Sequence, residues 1–165
     1  LAFWLTFSIT LDYIKYTEPV SSRGDSVELS ISWLAVVAAI VVGMAVAWVW
    51  YSDWGLAGGV WRNLTGVTKE DSARGGKGPF VVLVASIVVT ALALAAASSI
   101  ASGFFGTDSF WVALAVGLVA WLGFSLSTLA QHNGFEQKPG RLTVINSAYQ
   151  LVLFLGMAVP IGLLQ

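Results

Sequence analysis

Charged side chains are so sparse in this chain that the stretches between them mark out its elements. Twenty-four uncharged residues separate Glu28 from Asp53, 30 separate Lys77 from Asp108, 27 separate Asp108 from Glu136, and 24 follow Arg141. A helix rises ~1.5 Å per residue and needs about 20 apolar residues to cross the hydrocarbon core of a bilayer, so each stretch is long enough. Four membrane helices are predicted, at about 31–51, 80–101, 109–131 and 142–164. Lipid leaves a free N–H or C=O without a partner, which favours helices, and these Ala-rich runs lack the short alternating strands of a barrel. The predicted fold class is all-α, an integral membrane four-helix bundle over 31–165 with an extra N-terminal segment over 1–30.

Outside the spans the pattern changes. Leu5, Phe7, Ile9, Leu11 and Tyr13 alternate with polar residues, a period of two. That segment is expected to lie on the outer membrane surface, or else to end a truncated helix. Residues 17–30, with Pro19 and Gly24, read as an exposed linker. Beyond the first span, Leu56, Val60, Leu64 and Val67 recur at helical spacing, as in a short interfacial helix. Thr68 to Asp71 has the form of a capping box, soon ended by Gly75, Gly76 and Gly78. The connection as a whole is expected to be a flexible loop.

Composition agrees with a membrane location. Hydrophobic residues make up 57% of the 165 and charged residues 10%, against roughly 25% charge in soluble domains. Mean hydropathy is +0.81. Eight basic and nine acidic residues give a net charge of −1, which excludes nucleic-acid binding as the main activity. There is no Cys and one His, so disulfides, thiol chemistry and a metal site are not expected. Arg62, Lys69, Arg74, Lys77, Lys138 and Arg141 lie on one side of the predicted bilayer, and only Lys15 and Arg23 on the other. The positive-inside rule then puts the 52–79 and 132–141 loops in the cytoplasm and both termini outside, as in a bacterial inner-membrane protein. Trp33 and Trp111 mark the outer level, while Trp48, Trp50, Tyr51, Trp54 and Trp61 crowd the inner one, where such rings act as interface anchors. Arg62, Lys69, Arg74 and Lys77 are placed to attract anionic lipid headgroups.

From about Ser32 onward the chain resembles domain-of-unknown-function family 1761, small bacterial four-helix membrane proteins. The residues that carry the resemblance are Trp50-Tyr51-Ser52, Trp61, Thr65-Gly66-Val67-Thr68-Lys69-Glu70-Asp71, Trp121-Leu122-Gly123-Phe124, Thr128, Phe135-Glu136 and Asn146-Ser147-Ala148-Tyr149. Two positions depart from the pattern: Asp53, where the family tends to have Pro, and Gln150, where it often has His. The resemblance implies the fold and no activity.

The leading candidate site is a polar cluster at the inner end of the last two helices. Thr128, Gln131 and His132 share a face by i, i+3 and i+4 spacing, as do Asn146 and Gln150, with Tyr149 adjacent. Such groups either bond each other across the helix interface or form the mouth of a ligand site. The third and fourth helices, joined by a short link, are expected to be the pair they tie. Small residues repeat every fourth position at Ala39, Gly43 and Ala47, at Ala91, Ala95 and Ser99, and at Ala113 and Gly117, which lets helices approach closely. Pro160 clashes with the carbonyl of Gly156 and predicts a kink. No Asp, Glu, Lys or Arg lies in a span, and no nucleophile elbow or P-loop is complete. The expected function is therefore non-catalytic and cofactor-free. A helix-packing accessory or assembly subunit of a larger membrane complex, respiratory or photosynthetic, leads. The alternative is an oligomeric transporter or channel for a small neutral solute.

Overall fold

A computed structural model describes residues 29–108 and 110–165. The strand-like pattern of Leu5 to Tyr13 and most of the proposed linker lie outside them. All regular structure among the described residues is helical: α1 (Trp33–Tyr51), α2 (Gly58–Thr65), α3 (Lys69–Arg74), α4 (Gly78–Phe105), α5 (Phe110–Ala120), a π-helical segment (Trp121–Leu126), α6 (Ser127–Phe135) and α7 (Gly140–Leu164). Four spans are long and apolar enough to cross a membrane: α1, α4, the continuous Phe110–Phe135, and α7. The connection between α1 and α4, expected to be a loop, instead carries two short helices.

Local signals set the ends. Ser32 caps α1, its hydroxyl accepting from the Ala35 N–H at 3.4 Å. Ser30 is tied to the next span, its N–H donating to Ser99 Oγ at 3.0 Å. Pro79 sits in the first turn of α4, where its missing N–H costs nothing, and Gly106 ends that helix with φ of 64°. The predicted capping box is formed: Thr68 Oγ1 accepts from the Asp71 N–H, and the Asp71 carboxylate accepts from the Thr68 N–H.

The spans pack as a square. α7 lies between α1 and the third span, which sit on opposite corners and do not touch, and α4 closes the fourth side against all three. The core is made of small residues and a few larger ones: Ala39, Ala91 and Met157 are completely buried, and Ile87 and Ile161 nearly so. A Cβ on Gly43 would stand 2.9 Å from Ile87 Cγ2, and one on Gly162 2.9 Å from Ala113 Cβ. In lipid no hydrophobic drive pulls helices together, so this close van der Waals approach supplies much of the adhesion. Ala39, Gly43, Ala47, Ala91, Ala95, Gly117 and Pro160 are all buried, and Gly156 half-buried. α7 runs on through Pro160 to Leu164.

The π-helical segment is the feature the sequence pattern did not anticipate. In a regular helix residues four apart drift by ~40° per step, so such a series soon leaves its face. Here Ala113 and Gly117 are buried, and Trp121, Ser125, Leu129 and Asn133 continue inward as half-buried positions. The wide i→i+5 turn at 121–126 takes back about one residue, ~100°, and holds the series on one side. Thr128, Gln131 and His132 are carried to the outside by the same turn, and all three are exposed.

Candidate functional site

The end of the molecule that carries the 52–79 connection, the basic end, is built around Tyr51. The chain turns sharply after α1, with Gly55 N–H donating to Ser52 O, Leu56 N–H to Val49 O and Ala57 N–H to Trp50 O. A Cβ on Gly58 would stand 2.3 Å from Ser52 O, so only glycine lets α2 start this close. That start brings the Trp61 ring edge-on to Tyr51 at 5.6 Å. On its other side Tyr51 meets Tyr149 of α7 at 4.9 Å, and its hydroxyl donates to Asn146 Oδ1 at 3.1 Å. Trp50 lies 6.2 Å from Tyr149, with its indole N–H buried and unpartnered among the described residues.

Charge is kept to the rim. Asp53, in the turn, pairs with Lys69 at 2.7 Å and with Arg62. Bonds from Lys69 and Arg62 hold its carboxyl below the usual carboxylate range. Asp71 is likewise lowered, by the hydroxyl and backbone N–H of Thr68, and Arg74 approaches it at 3.7 Å. Of the four basic residues placed at the headgroups, Arg62 and Lys69 are thus engaged with Asp53, and Arg74 with Asp71.

Inside this rim lies a cavity of about 480 Å³, lined by Tyr51, Trp61, Pro79, Leu83, Leu129, Asn146, Tyr149 and Gln150. A second, of about 330 Å³, shares Pro79, Leu83, Tyr149 and Gln150 and continues along the α4–α7 seam past Ser86, Ile87, Thr90 and Leu153. No charged side chain lines either. At the opposite end a groove of about 830 Å³ runs between α4 and the third span, lined almost wholly by apolar side chains, among them Ala101, Phe105, Ala115 and Phe124.

The expected polar cluster is therefore divided. Asn146, Tyr149 and Gln150 face the cavity; Asn146 bonds Tyr51 of α1, and Tyr149 packs on the Trp50 and Tyr51 rings. Thr128, Gln131 and His132 lie on the outer surface and bond none of them. The third and fourth spans are tied instead by Trp121 Nε1 donating to Ser147 O at 2.9 Å and Asn133 Nδ2 donating to Thr143 Oγ1 at 2.9 Å. The anchors divide too. Trp33, Trp48, Trp54 and Trp111 are exposed, with Trp48 and Trp54 edge-to-face at 4.9 Å, whereas Trp50, Tyr51 and Trp61 turn inward. Among the described residues no cluster of His, Asp or Glu could hold a metal. Tyr51 and Trp61, predicted only as anchors, are site residues. The one sequence signal for this was that Trp50-Tyr51-Ser52, Trp61 and Asn146-Ser147-Ala148-Tyr149 all belong to the motifs that carry the resemblance, and they converge here.

A family model described as protein of unknown function, DUF1761, matches residues 34–162. No curated protein and no solved structure matches the chain.

Proposed function

We propose that this chain, which belongs to the DUF1761 family, is a non-catalytic membrane protein that works by helix packing. Its place is as an accessory or assembly subunit of a larger complex in the bacterial inner membrane. The observation that carries this reading is the unequal use of the spans. Only 11% of the most apolar stretch of Phe110–Phe135 is buried within the bundle, against 39% for α7. Its free side forms, with α4, the apolar groove in which Ala97, Ala101 and Ala115 allow a helix backbone to come close. The six-to-two basic asymmetry supports an orientation with this groove toward the outer leaflet.

The test uses the chain's lack of cysteine. Ala115→Cys in the groove and Val41→Cys on the exposed side of α1 are expressed at native level and treated with a membrane-permeant thiol crosslinker. A single adduct to a larger membrane polypeptide, from Ala115→Cys alone and stoichiometric on purification, is the expected result. Adducts only to a second copy of the chain would overturn it and favour an oligomer passing a small neutral solute.

A further inference from the structure

The two adjoining cavities at the basic end are a site of a different kind from the groove, because they share the polar side chains of Tyr149 and Gln150 and one of them leads sideways. Asn146 Oδ1 accepts from the Tyr51 hydroxyl, whereas the Tyr149 hydroxyl and the Gln150 amide have no hydrogen-bond partner among the described residues, and all three side chains line the cavity. A primary amide offers two donors and an acceptor, and a phenol one of each. An ionised ligand would find no opposite charge there, since Asp53, Arg62 and Lys69 pair with one another outside the lining, and a buried charge without a counter-ion is costly. The chemistry selects an uncharged group with hydroxyl or carbonyl functions.

The second cavity says what is attached to that group. Tyr149 and Gln150 stand at its junction with the first and Ser86 at its exposed edge; between them Leu83, Ile87 and Leu153 present hydrocarbon, and Thr90 has already donated its hydroxyl to Ser86 O at 2.8 Å. Val82 and Ser86, exposed on the flank of α4, form its outer edge, where a spanning helix meets lipid tails. Each volume falls within the ~300–1,000 Å³ of small-molecule sites. We infer that this double cavity binds a neutral single-chain amphiphile, its hydroxylated head against Gln150 and Tyr149 and its chain along the α4–α7 seam, entering laterally from the bilayer.

The experiment places the full chain in phosphatidylcholine nanodiscs with a monoacylglycerol carrying a diazirine in its chain, and maps the photoadducts. Saturable labelling of the 79–90 and 149–153 segments is expected. Unlabelled monooleoylglycerol should compete, while oleate, with the same chain and a charged head, should compete at least about tenfold more weakly. Gln150→Met should lower labelling about tenfold, and Ser86→Trp, which fills the second cavity from its exposed edge, should lower it comparably. Equal competition by oleate would overturn the charge selection. Competition by free glycerol would show that the chain contributes nothing, and non-saturable labelling, or labelling untouched by Ser86→Trp, would overturn the site itself.

Discussion

Tyr51 closes α1 and bonds an amide 95 residues further along the chain. No local periodicity joins the two, so Asn146 was legible as a polar helix residue while its partner was not. An amide in a span has to be satisfied or stay close to water, and the α1 phenol, folded back against α7, answers that need. Tyr51→Phe is expected to cost ~0.6 kcal/mol and at most ~2, in the range of interhelical bonds within membranes. Tyr149→Phe removes a hydroxyl with no protein partner and should cost close to nothing. Equilibrium unfolding of both variants in mixed detergent checks the difference; equal losses would mean that the Tyr51 hydroxyl does not tie α1 to α7.

Among the elements, the short helices and the wide turn carry the most specific expectations. α2 and α3 are tied to the turn after α1 at a shared point, where Arg62 and Lys69 share the Asp53 carboxylate. A carboxyl lowered in the folded state adds stability above its unfolded pKa, ~3.9, and loses it as pH falls through the folded value. Hydrogen exchange over 58–74, corrected for intrinsic rates, should therefore be unchanged from pH 7 to pH 5 and accelerate below about pH 4. Asp53→Asn should already exchange faster at pH 7. The π segment makes a second prediction. Deleting Gly123 removes the one residue that the wide turn absorbs, so the third span should run as a regular helix with Leu129 and Asn133 still on the inner face. Cysteines replacing Asn133 and Thr143, whose side chains now meet at 2.9 Å, should crosslink in the full chain and in the deletion alike, and loss of the crosslink in the deletion would mean that the wide turn does not absorb an extra residue. The inward face of the inner half departs from the sequence pattern for the same reason. Ala113 and Gly117 give the right stripe under regular geometry, but extending that geometry past Trp121 brings Thr128 and Gln131 inward in place of Leu129 and Asn133.

At the scale of the whole molecule the sequence was easier to read, because the physics is simpler. A charge in the hydrocarbon costs several kcal/mol, so the gaps between charges had to coincide with the spans. The expected 31–51 and 142–164 appear as Trp33–Tyr51 and Gly140–Leu164. α4 reaches further than the expected 80–101 because Pro79 at one end and Gly106 at the other set its limits, where the hydrophobic pattern had marked only its middle. What the pattern could not supply was the order of the spans around the square, since helices apolar on every side carry no moment to orient them. Orientation across the membrane is a separate prediction. Gly76→Cys and Thr107→Cys, at opposite ends, should react with an impermeant thiol reagent from opposite sides, and in intact cells only Thr107→Cys should be labelled. The reverse pattern would invert the topology.

The spacing of the exposed tryptophans along α1 bears on bilayer thickness. Trp33 and Trp48 are fifteen residues apart, ~22 Å of helix rise, while a typical hydrocarbon core is ~30 Å thick. Trp54, edge-to-face with Trp48 beyond the helix end, extends that belt only sideways around the turn. With both rings held at headgroup level, the lipid beside α1 has to thin by several Å. α4, 28 residues and ~42 Å long in the same bundle, has to tilt or project from the same bilayer. The protein thus presents a short side and a long side to its membrane. A thin, short-chain bilayer relieves the mismatch at the first, and a thick one at the second.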